Sequence, residues 1–145
     1  MSSNPRLEAL KMQIRALEGQ AFGPSGAAIL AFADPLLNAP LPHGGLWLGA
    51  LHEFYATGME AELAAAPAGF AATIAAAMIA RHGGCVVWAV TRADCYIGGL
   101  SRFGLDPSRV VWAECRKDAD VAGIMEEALS SGTVAAVLGE AGPLS

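Results

Sequence analysis

The sequence predicts an α/β fold: a mostly parallel sheet flanked by helices. Three observations carry this. Short apolar runs recur at 50–55 (ALHEFY), 85–90 (CVVWAV), 110–115 (VVWAEC) and 133–138 (TVAAVL). Helical stretches lie between them, at 69–81, at 94–103 and from Asp118 or Asp120 to 130. The runs are apolar on both faces, which suits strands covered by helices on each side of a parallel sheet.

Each element has its own reason. Asn4 followed by Pro5 is a helix start, a cap and then proline in the first turn. From there Leu7, Leu10, Ile14 and Leu17 follow a three-four-three spacing that sets them on one face, and Gly19 ends the helix. Residues 1–19 thus form an N-terminal amphipathic helix. It docks either on its own domain or on another chain. Residues 20–49 are rich in proline and glycine and read as a linker with one short helix, long enough to let the first helix reach away. Residues 50–145 hold the alternating core. The helix from Gly69 closes at His82-Gly83-Gly84, the helix from Asp94 at Gly104, and the one capped by Asp118 or Asp120 at Gly132. The last strand has a free edge. The core therefore reads as incomplete: the front part of a longer protein, or an edge that pairs with a neighbour.

Composition narrows the function classes. The chain has 145 residues, 54% of them hydrophobic and 16% charged, which is enough for one domain with a sizeable core. A net charge of −5 argues against gripping nucleic acid over the whole surface, and contact with DNA is left open. Cys85, Cys95 and Cys115 form no Cys-x-x-Cys pair and read as reduced thiols of a cytoplasmic protein. The polar start carries no secretory signal. Residues 63–80 are uncharged over 18 positions, but the run is mostly alanine with Pro67 and Gly69 early, so it reads as a helix buried against a sheet, not a membrane span.

The order of pieces resembles a known family. The stretch GGLWLGALHEFYA, from Gly44 to Ala56, is similar to the first core strand of RecA-type recombinases and its lead-in. The whole chain resembles the ImuA family, a RecA/SulA-like group of bacterial damage-induced mutagenesis proteins. The stretches that carry the resemblance are RLEALKMQIRALEG, GGLWLGALHEF, GGCVVWAV, LSRFGLDPSRVVWAECRKDADVAGIMEEAL and SGTVAAVLGE. The resemblance implies a RecA-like fold and a role in error-prone translesion synthesis under the SOS response. It implies an ImuB-type, Y-family polymerase-like partner, and contact with RecA. Self-association into a homo-oligomer is a further expectation. In RecA-type proteins an N-terminal helix docks on the neighbouring subunit, which makes Leu7, Leu10, Ile14 and Leu17 the candidate partner contact here.

The residues themselves speak against nucleotide chemistry. A phosphate loop needs G-x-x-x-x-G-K-[ST]: backbone N–H groups cradle the phosphate, a lysine neutralises it and a hydroxyl holds magnesium. Here Gly58 and Gly69 are eleven apart, Phe70 and Ala71 stand where the lysine and hydroxyl belong, and Thr73 is displaced by two. No lysine occurs between Lys11 and Lys117, and nothing near this degenerate loop would stabilise charge developing in phosphoryl transfer. Glu140, after the last strand, is one residue late for a metal-holding acid and reads as solvated. Asp94 reads as a helix cap.

His43, His52 and His82 are scattered, Glu126-Glu127 read as a solvated face opposite Val121, Ile124, Met125 and Leu129, and Arg102, Arg109, Arg116 and Lys117 as surface. Trp88 and Trp112 read as core, Trp47 as more exposed. No catalytic, cofactor or metal residue is assigned, and the reading is a non-catalytic adaptor. Two rivals stand beside it: a SulA-like inhibitor of cell division, and a divergent RecA-like ATPase with an unusual loop.

Overall fold

The structure, a computed structural model, describes Arg6, Ala9, Leu10, Gln13 and residues 28–56, 65–92 and 95–142. Contacts divide the chain into two compact units, one up to Glu53 and one from Phe54.

In the first unit, strand β1 (Ile29–Leu30) pairs antiparallel with β2 (Leu46–Trp47), Ile29 opposite Trp47 and Leu30 opposite Leu46. Leu30 and Leu46 are buried. The approach is close enough that a Cβ at Gly45 would run into the Leu30 carbonyl. Between the strands lie helix α1 (Pro35–Asn38) and a 3-10 turn (Pro42–Gly44). Asp34 caps α1, its Oδ1 accepting the Leu36 N–H at 2.9 Å, with Pro35 in the first turn. Asn38 accepts the Phe32 N–H and donates to the Phe32 carbonyl, both at 2.8 Å. The expected short helix is therefore present, but residues from 28 on also pair as strands where the sequence predicts loop. Two-residue strands are too short to show a period.

The second unit holds α2 (Ala65–His82), β3 (Cys85–Val90), 3-10 segments Ile97–Phe103 and Pro107–Arg109, β4 (Val110–Glu114), α3 (Asp118–Ser130) and β5 (Val134–Glu140). The strands form one parallel sheet in the order β4-β3-β5, with Trp88 level with Trp112 on one side and Leu138 on the other. The central strand carries the core. Val86, Trp88 and Val90 are buried with Ala72 and Ala75 of α2 and with Leu100 and Leu105. Alanines on the inner face of α2 let the helix sit close to the sheet. α3 lies where a Cβ at Gly139 would meet Met125 and Val121.

Several expectations are corrected. Residues 50–55 form no strand: 51–56 have no regular structure, with Leu51 80% and Tyr55 76% exposed. An apolar run becomes a strand only when its N–H and C=O groups meet a ladder partner, and the described sheet has three strands, not four. Only β3 is thoroughly covered; β4 and β5 are half-buried for most of their length. α2 already includes Ala65, four residues before the expected start at Gly69. The predicted helix from Asp94 is a 3-10 segment from Ile97, where Gly98 and Gly99 lower helix propensity; Asp94 lies outside the described residues. Neither Asp118 nor Asp120 caps α3. Lys117 holds that position without a side-chain bond, and Asp118 Oδ2 accepts the Gly142 N–H at 3.2 Å. Leu129, in the last turn, is exposed, one turn beyond the residues that meet Gly139.

Other readings hold. The Gly83-Gly84 stop closes α2 with both residues at positive φ (73° and 79°), a conformation that costs glycine little, and the Gly83 N–H bonds the Ile79 carbonyl at 2.7 Å. Cys85, Cys95 and Cys115 are half-buried and none is in a disulfide. Among the described residues no helix is long and apolar enough to cross a membrane.

Candidate functional site

Ligands in open parallel sheets sit outside the carboxyl ends of the strands, where successive connections leave on opposite faces. Here β3 is central, β4 follows it on one side and β5 lies on the other, so the carboxyl ends of β3 and β5 mark that position. The register sets Val90 level with Glu140 there. Glu140 belongs to β5 instead of following it, and it is half-buried, not solvated. Its Oε1 accepts the Trp88 Nε1–H at 2.7 Å. The two residues lie on one face because Trp88 is level with Leu138, and the side chain two residues beyond Leu138 points the same way. Trp88 is buried against Trp112, ring centroids 5.5 Å apart, so its N–H has little access to water and needs this acceptor. The acid at the end of the last strand thus serves a tryptophan.

The residues that the sequence sets against a phosphate loop, Gly69, Phe70 and Thr73, are also engaged within the fold. Gly69 is the fifth residue of α2, inside the helix and not at its open N-terminus. A Cβ there would lie 2.7 Å from the ring of Phe103, which packs on the bare backbone. Phe70 meets Phe54 edge-on, centroids 5.1 Å apart. Thr73 turns its hydroxyl back to the Gly69 carbonyl at 3.0 Å, a bond inside the helix. Gly58 lies outside the described residues.

The remaining candidates do not converge. Of Leu7, Leu10, Ile14 and Leu17, only Leu10 is described; it is helical and 52% exposed, and the other three lie outside the described residues. Arg102, Arg109, Arg116 and Lys117 are exposed. Arg109 donates to the Gly84 carbonyl at 3.1 Å and Lys117 lies 3.8 Å from Asp120. Glu126 and Glu127 are exposed, as expected of a solvated face. His52 donates to the Trp47 carbonyl at 2.8 Å, and the His43 ring lies 5.0 Å from that of Trp47, which is half-buried. Among the described residues no group of three or more His, Cys, Asp or Glu is placed to hold a metal ion. One exposed carboxyl is shifted. The Ser108 hydroxyl, and then the Ser108 N–H, hold Asp106 below its ordinary value.

The residues missed from sequence are Trp88 and Phe103 in these roles. The signal for Trp88 is the sheet register, which places it two residues before the level of Glu140; for Phe103 it is a glycine inside an alanine-rich helix.

Comparison with known proteins places the chain among relatives. It is 38% identical over 113 residues to Protein ImuA of Caulobacter vibrioides strain NA1000 / CB15N, and equally to that of strain ATCC 19089 / CIP 103742 / CB 15. The match covers 78% of this chain and 46% of each relative, so the chain spans about half the length of the curated relatives it matches. No family profile and no solved structure matches.

Proposed function

Because the chain belongs to the ImuA family, we propose that it is a non-catalytic accessory protein of damage-induced, error-prone translesion synthesis. It acts on a RecA-like scaffold whose nucleotide site has been given over to packing. Its partners are an ImuB-type polymerase-like protein and RecA. The observation that carries this reading is Gly69 inside α2, covered by the Phe103 ring. In a phosphate loop the corresponding backbone must stay open to an anion, with a cation beside it. Phe70 in the lysine position and the Trp88–Glu140 bond at the sheet end support the same reading. The N-terminal helix face that includes Leu10 is the contact for the partner.

The test is binding of the chain to immobilised RecA and to an ImuB-type protein without nucleotide, beside a variant carrying Leu10→Asp and Ile14→Asp. The expected result is nucleotide-independent binding that the double variant weakens at least tenfold while its circular dichroism is unchanged. Binding to neither protein would refute the adaptor reading. Equal binding by the variant would move the contact away from the first helix.

A further inference from the structure

We draw no further inference here: the strongest candidate, the outer edge of β5 over Val134–Gly139, carries no charge or proline and pairs with no second strand among the described residues, but nothing in the structure shows what covers it.

Discussion

The two units are held together by different physics. The one that ends at Glu53 buries only Leu30 and Leu46 as its described hydrophobic core. Its shape comes from side chains that bond backbone: Asp34 to Leu36, Asn38 twice to Phe32, His52 to Trp47. The one that begins at Phe54 rests on a contiguous apolar cluster around Trp88. Bonds to backbone are directional and define a turn, yet each contributes a net of only about 0.5–1.5 kcal/mol. Apolar burial has no direction, but it contributes about 1.5–3 kcal/mol for each large side chain. The first kind of construction sets the path of a chain. The second supplies a stable platform.

That contrast can be broken first at its strongest point. Trp88→Ala removes a buried indole and leaves Glu140 without that donor, so urea unfolding followed by circular dichroism should show a loss of about 3–5 kcal/mol. A loss under 1 kcal/mol would mean that the cluster is not the platform. A smaller effect is expected from Asn38→Ala, which removes both bonds to Phe32. The cost should be about 1–2 kcal/mol and local, read as faster hydrogen exchange at the Phe32 amide. Unchanged exchange there would show that the clamp does not hold the turn.

The smallest effect concerns Asp106. Its carboxyl is held below its ordinary value by Ser108, so the folded state favours the charged form. The stabilisation is present above the unfolded value and disappears as pH falls through the lower, folded one. Ser108→Ala should raise the Asp106 pKa in a carbon-detected NMR titration and leave the fold intact. The group is fully exposed, so a large effect on stability would contradict this account.

The same contrast explains what could be read from sequence. The runs at 85–90, 110–115 and 133–138 reappear as β3, β4 and β5 within a residue or two at their ends, because strands of a parallel sheet are written as continuous apolar stretches, even though only β3 is thoroughly covered here. The run at 50–55 has the same look and forms no strand, since hydrophobicity does not specify a pairing partner. β1 and β2 could not be seen at all: two residues carry no period, and what folds that region is the reach of Asn38 across six positions. At the candidate site, the absence of any lysine between Lys11 and Lys117 is plain in the sequence. That Phe103 lies on Gly69 and Trp88 bonds Glu140 depends on contacts across 34 and 52 residues, which only the folded chain supplies.

The proposed function requires that packing occupy the place of a nucleotide site in this chain. It is tested most directly by calorimetric titration of ATP with magnesium into the chain. No saturable heat is predicted at ATP concentrations up to the millimolar range. Saturable heat at one site, removed by competing ADP, would contradict that proposal and reopen the reading of a divergent ATPase.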